Sequence, residues 1–173
     1  MLLSLGNDRV NPIWEAGLKN QRGWKKPTES DSRNVKEDWI KSKYQWKGFL
    51  EVDSSRNEAE RMERFNYELY EAAGQGNLLG VADALAHGGS VEWKNTNSEG
   101  KTPLHACAVS SSPPDDDDDD DDDEWQGIEC AELLIQNGAK LNTLDDNHQS
   151  PLDCAVIGGA EREMIEFLSA RAL

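Results

Sequence analysis

Gly100-Lys101-Thr102-Pro103-Leu104-His105 and His148-Gln149-Ser150-Pro151-Leu152-Asp153 state one phrase twice, 48 residues apart. In each copy a hydroxyl residue precedes a proline and a leucine. Thr102 and Ser150 can accept a backbone N–H at a helix start, and Pro103 and Pro151 then occupy the first turn, where no N–H is needed. Downstream of the first copy, Ala131-Glu132-Leu133-Leu134-Ile135-Gln136-Asn137-Gly138-Ala139 reads as a helix with a glycine stop. Residues 81–89 read the same way, with Ala84, Leu85 and Gly88 as counterparts of Leu134, Ile135 and Gly138. Gly76 lies 12 residues before Gly88, where a tight turn between paired helices belongs, and Gly159 holds that place after the second phrase.

The pattern resembles the ankyrin repeat, in which a turn, Thr-Pro-Leu-His and a helix pair recur about every 33 residues. Against that period 15 residues are surplus, and Ser110-Ser111-Ser112-Pro113-Pro114 with nine aspartates at 115–123 accounts for them. The sequence predicts an all-α chain whose residues 65–173 stack as three units, near 65–98, 99–145 and 146–173. A disordered poly-Asp insertion occupies 110–126. No single unit can bury its apolar face alone, and three is about the minimum. Thr102, Pro103, Leu104, His105, Gly138, Ser150, Pro151 and Leu152 are assigned structural roles, with His105 tying turns together. The last unit, ending in Met164, Ile165, Phe167 and Leu168, reads as a closing cap. The resemblance implies a protein ligand whose identity the sequence does not carry.

Charge is distributed unevenly. Residues 1–64 hold 13 Lys and Arg against 11 Asp and Glu, whereas residues 65–173 hold 5 against 23. Residues 19–47 are the basic stretch, with 9 basic and 4 acidic side chains. The net charge of −16 misleads if read as one number, since a basic segment precedes a strongly acidic one; no nucleic-acid partner is expected. The aspartate run reads as a solvated loop kept open by self-repulsion; a flexible run lacks the preorganised cage of a cation site. No apolar stretch approaches the roughly 20 residues of a membrane span, and no signal segment is legible, so a cytoplasmic protein is expected. Cys107, Cys130 and Cys154 sit among apolar residues without a Cys-x-x-Cys pair, which argues against both a disulfide framework and a zinc site. No nucleophile has a nearby His-and-acid arrangement and no phosphate-cradling glycine loop is present, so no catalytic residue and no cofactor is assigned.

The first 50 residues read as two helices and a basic connection. Asn11-Pro12 can start the first, with Ile13, Trp14, Gly17 and Leu18 facing inward. Asp31 or Ser32 starts the second and Gly48 can stop it. Val35, Trp39 and Trp46 recur on one face, with Ile40 and Tyr44 beside them. Two helices cannot bury that many aromatic rings between them, so the segment reads as part of a larger core. Further on, Ser55 and Glu58 match a capping box, and Met62, Phe65 and Leu69 continue as a stripe to Ala72 and Ala73. Residues 51–64 are therefore expected to form a connecting helix.

Leu5-Gly6-Asn7, then Asn11-Pro12-Ile13-Trp14-Glu15, Lys25-Lys26-Pro27 and Lys36-Glu37-Asp38-Trp39-Ile40-Lys41-Ser42-Lys43-Tyr44 resemble the C-terminal half of an Arf GTPase-activating domain. Ankyrin repeats after it, with Ala84-Leu85-Ala86-His87-Gly88, resemble the subfamily that combines a coiled-coil region, a PH domain, the Arf-GAP domain and ankyrin repeats, known as ACAP. The resemblance implies an Arf-family small GTPase as partner, a zinc finger in the full-length domain, and peripheral residence on endosomal membranes. It also suggests that Lys25, Lys26, Lys36, Lys41 and Lys43 face the GTPase or an anionic membrane surface. The zinc-finger cysteines and the arginine that assists GTP hydrolysis in that family have no counterparts here. Pro12 also departs from the family, removing an N–H that would bond Asp8. The chain reads as a C-terminal portion, inactive as an activator alone, or else as a free-standing ankyrin adaptor.

Overall fold

The computed structural model describes residues 6–20, 23–51, 57–110 and 126–172. The chain divides into two compact units, one within Leu3–Arg61 and one within Met62–Leu173. Among the described residues the regular structure is helical; the only β-type pairing is an isolated bridge between Asn95 and Lys101.

The first unit contains α1 (Asn7–Trp14), a 3₁₀ turn (Ala16–Asn20) and α2 (Arg33–Ile40), which runs into a π-helical turn (Lys41–Gln45). Contrary to the sequence expectation, α1 begins at Asn7 rather than at Pro12. Arg9 and Val10 both donate to the Gly6 carbonyl, at 3.1 and 3.2 Å, so the first turn closes upstream. Pro12 then sits inside the helix, where it removes one intrahelical donor, and α1 gives way to the 3₁₀ turn soon after. Ser32 caps α2 by accepting from the Val35 N–H. Trp39, Phe49 and Leu50 are buried, with the Trp39 and Phe49 rings 4.7 Å apart and Trp24 5.2 Å from Phe49. Gly17 donates its N–H to the Phe49 carbonyl at 2.7 Å, and a Cβ at this position would stand 2.6 Å from the Leu50 carbonyl oxygen. Glycine is the residue that permits this approach.

The expected aromatic face splits. Trp39 is buried, but Val35, Ile40 and Tyr44 are exposed and Trp46 is 64% exposed. The π turn between Trp39 and Trp46 widens the helix and rotates the later residues off the inward face.

The second unit takes most of α3 (Glu58–Gly74), then α4 (Leu78–Ala86), α5 (Pro103–Ala108), α6 (Gly127–Gln136), α7 (Pro151–Gly158) and α8 (Arg162–Arg171). The expected Ser55 cap lies outside the described residues. Asn57 and Glu60 form the reciprocal cap instead: the Glu60 N–H donates to Asn57 Oδ1 at 2.9 Å, and the Asn57 N–H to Glu60 Oε2 at 3.4 Å. The α3 helix is continuous, and Phe65, Leu69, Ala72 and Ala73 on it are buried. In this unit α4 packs on α6, α5 on both α6 and α7, and α8 on α6 and α7. Leu78, Val81, Leu104, Cys107, Cys130, Leu134, Met164 and Leu168 fill the core.

The helix stops repeat as the sequence pairing requires. Gly88 and Gly138 have φ of 99° and 98°. Gly88 donates to Leu85 and Gly138 to Ile135; Gly89 donates to Ala84 and Ala139 to Leu134. The two stops are bonded alike, residue for residue. Gly76 and Gly159, at φ 66° and 70°, make the turns inside the first and third helix pairs. Eighteen residues separate α5 from α6 and three separate α7 from α8. The difference is the 15-residue surplus, and residues 111–125, with the poly-Asp run expected to be disordered, lie outside the described residues.

Candidate protein-binding surface

The stack presents its turns as a connected row. His105 is fully buried; its Nδ1 accepts from the Thr102 N–H at 3.2 Å, and its Nε2–H donates to the Gln149 carbonyl at 3.0 Å. Burial pushes the His105 pKa down, against opposing effects of the Gln149 bond and of Asp145. Asp146 N–H donates to the Glu99 carbonyl, Lys94 Nζ to the Leu144 carbonyl, and Lys140 N–H and Thr143 Oγ1 to the Glu92 carboxylate. Asp145 accepts the N–H groups of Asn147 and Gln149, each at 2.9 Å. Burial opposes its ionisation, yet these two bonds bring its pKa below the ordinary value.

The signature residues stand at the starts of α5 and α7. Thr102, Pro103, Leu104 and His105 are buried at the start of α5. Ser150, Pro151 and Leu152 start α7, where Ser150 Oγ donates to Asp153 Oδ2 and accepts from the Asp153 N–H. Asp153 thus closes its bond within its own repeat, whereas His105 reaches the next turn.

Exposed apolar side chains gather at the ends of α5 and α7. Val109, Val156 and Ile157 are 43%, 58% and 68% exposed. A Cβ placed on Gly158 would lie 3.2 Å from Val109 Cγ1, so the two helix ends adjoin. Sequence periodicity did not single these residues out, because an inward-facing stripe and an exposed one have the same composition in short helices.

The five lysines assigned to a basic face do not act as one set. Lys43 is buried; its Nζ donates to Asn11 Oδ1 and, at 2.7 Å, to Glu15 Oε1. It is an internal cation of the first unit and not a surface charge, because Asn11 on α1 and Glu15 just after it offer it the partners that burial demands. Lys26 joins the other oxygen of Glu15 at 3.1 Å. Burial raises the Glu15 pKa, but the two lysines outweigh it and hold the carboxyl below its usual range. Lys36 donates to the Glu29 carbonyl. Lys25 and Lys41 are exposed. With Trp24, Trp39, Val35, Asp31 and Asp38, Lys25 and Lys26 line an open pocket of about 440 Å³.

The zinc expected of an Arf-GAP domain has no suitable donors among these residues. The three thiols lie in three different helices, α5, α6 and α7. Burial pushes Cys130 up to about 12 and Cys107 well above its ordinary value, opposing the thiolate that zinc needs. Among the described residues no group of three His, Cys, Asp or Glu side chains is placed to hold a metal ion.

Paired helices with matched glycine stops and a buried histidine bridging consecutive turns define the second unit as an ankyrin-repeat stack. The family model of ankyrin repeats matches residues 124–168. The chain is similar to proteins named Arf-GAP with coiled-coil, ANK repeat and PH domain-containing protein. The chicken protein 2 of that name is 25% identical over an alignment covering 97% of this chain and 30% of the relative. The human protein 2 is 31% identical over 58% of this chain and 11% of its own length. The human protein 3 is 50% identical over 29% of this chain and 6% of its own. The chain therefore spans less than a third of the length of these relatives.

Proposed function

We propose that the chain serves an Arf GTPase-activating protein as its protein-docking portion, at an endosomal membrane. The supporting observation is the alignment with the chicken relative, which spans 97% of this chain and so takes in both units. An activator of this type stabilises the transferring phosphoryl group with an arginine supplied in trans, worth orders of magnitude in rate. The sequence has no counterpart of that arginine or its zinc finger, so the chain alone contributes binding and not rate. The alternative is an ankyrin adaptor without a GTPase role, favoured by the family match lying wholly within the repeats.

A chimera decides between them. Residues 6–50 replace the matching segment of the chicken relative, and single-turnover GTP hydrolysis by an Arf protein is followed. Retained stimulation supports the Arf-GAP reading. A folded chimera without stimulation overturns it and leaves the adaptor. The 173-residue chain by itself is expected to give no acceleration.

A further inference from the structure

The pocket of the first unit, about 440 Å³, has the volume of a site for a small ligand or a single side chain. Trp24, Trp39, Pro27 and Val35 give it apolar walls. Trp39 is buried against Phe49, whereas Trp24 meets Phe49 edge-on and stays 42% exposed. Val35, Asp38 and Trp39 share one face of α2, at i, i+3 and i+4. The loop before α2 is held in place without a ligand. Thr28 donates its N–H and its Oγ1 to Asp31 Oδ2, at 2.7 and 2.8 Å, and Lys36 on α2 donates to the Glu29 carbonyl at 2.7 Å.

The charged groups lining the pocket are unequally engaged. Lys26 is taken up by Glu15 at 3.1 Å. Lys25 acts on Asp31 by charge, as does Lys36 from outside the pocket. Asp31 spends Oδ2 on Thr28, and among the described residues no hydrogen bond reaches its Oδ1. Asp38 is exposed, and among the described residues no hydrogen bond or ion pair reaches its carboxylate. An uncompensated carboxylate therefore stands one residue from Trp39 at the rim of an indole-walled pocket, with a second carboxylate oxygen open at Asp31.

We infer that this pocket receives an arginine side chain of a partner protein, its guanidinium against the exposed Trp24 ring and hydrogen-bonded to Asp38 and to Asp31 Oδ1. A guanidinium is planar and weakly hydrated, so it stacks on an indole while its N–H fork serves carboxylates; an ammonium keeps its water and offers no plane. The alkyl stem finds Val35 and Pro27. An acidic or phosphorylated ligand would meet Asp38 and Asp31 with Lys26 already bound to Glu15, and is disfavoured.

The probe is the blocked peptide acetyl-Gly-Arg-Gly-amide, with companions in which lysine, citrulline or glutamate replaces the arginine. Each is titrated into the full chain while the Trp24 indole N–H and the Thr28 amide are followed by NMR. The arginine peptide is expected to shift both resonances. Citrulline, which keeps the shape without the charge, and glutamate should not, and lysine should bind at least about fivefold more weakly. Asp38 has no partner to lose, so Asp38→Asn should leave thermal unfolding unchanged and weaken the arginine peptide about fivefold. Lys25→Ala removes a like charge and should strengthen it about twofold. The inference is overturned if the arginine peptide shifts neither resonance, if citrulline, lysine or glutamate binds as well as arginine, or if Asp38→Asn leaves the affinity unchanged. Weaker binding in Lys25→Ala overturns it too, since that is the behaviour of an anion site. The assay contains no Arf protein, so a chimera inactive in GTP hydrolysis leaves this result standing.

Discussion

His105 Nε2 lies 3.0 Å from the carbonyl oxygen of Gln149, a residue of the following repeat's turn and 44 positions along the chain. The other ring nitrogen accepts the Thr102 N–H. One neutral imidazole thus caps its own helix and holds the next turn. Replacing it by alanine leaves the Gln149 carbonyl and the Thr102 N–H without partners and opens a buried space. His105→Ala should lower unfolding free energy by about 2–4 kcal/mol, read from urea unfolding monitored by circular dichroism.

The same geometry sets a pH dependence. Burial lowers the His105 pKa, so the unfolded chain takes up a proton more readily than the folded one. The contribution is complete above the unfolded value near 6.5 and is lost progressively as pH falls below it. Parent stability should drop between about pH 7 and 5, and a His105→Gln variant should drop less over that range. Equal pH slopes in the two proteins would exclude His105 as the source.

In the first unit, removing one member of the Lys43–Glu15–Lys26 group should depend on which member goes. Glu15→Ala leaves the buried Lys43 ammonium without its carboxylate, with Asn11 and the face of the Tyr44 ring beside it. Lys43→Met leaves Glu15 paired with Lys26 at the surface. The first change should cost about 3 kcal/mol or more and the second distinctly less. Tryptophan fluorescence of the Trp24–Trp39–Phe49 cluster against urea reports the comparison.

Asp145 works through one oxygen that gathers two backbone N–H groups. At the matching place in the preceding turn, Asn95 Oδ1 accepts the Asn97 N–H at 3.0 Å. Asp145→Asn should therefore be tolerated within about 1 kcal/mol, whereas Asp145→Ala should cost about 1–3 kcal/mol. Thermal unfolding of the two variants side by side distinguishes an acceptor from a charge.

Deleting residues 115–123 halves the 18-residue connection between α5 and α6. Loop-closure entropy alone predicts a gain of about 0.6 kcal/mol. Relief of charge repulsion should add to it at low salt and fade as salt rises. A loss of stability on deletion would mean that the aspartates make contacts the folded stack depends on.

The repeat architecture was legible because its requirements are local. Thr102-Pro103 and Ser150-Pro151 start helices whatever surrounds them, and Gly88 and Gly138 stop them through a positive φ that disfavours other residues. Spacing then exposed the surplus between α5 and α6 by subtraction. The first unit was less legible. A proline reads as a helix start, and only the bonds to Gly6 show α1 beginning five residues earlier. A helical period placed Trp39 and Trp46 on one face, and one π turn separated them.

What the sequence by itself determined were the helix ends, the repeat register and the excess of negative charge, each a property of a few adjacent residues. What only the tertiary structure decided was where the longer side chains go: Lys43 inward onto Glu15, and Val109 and Ile157 outward along the stack. Burial of a side chain depends on partners tens of residues away, and a short helix with apolar residues on several faces does not say which of them its neighbours will cover.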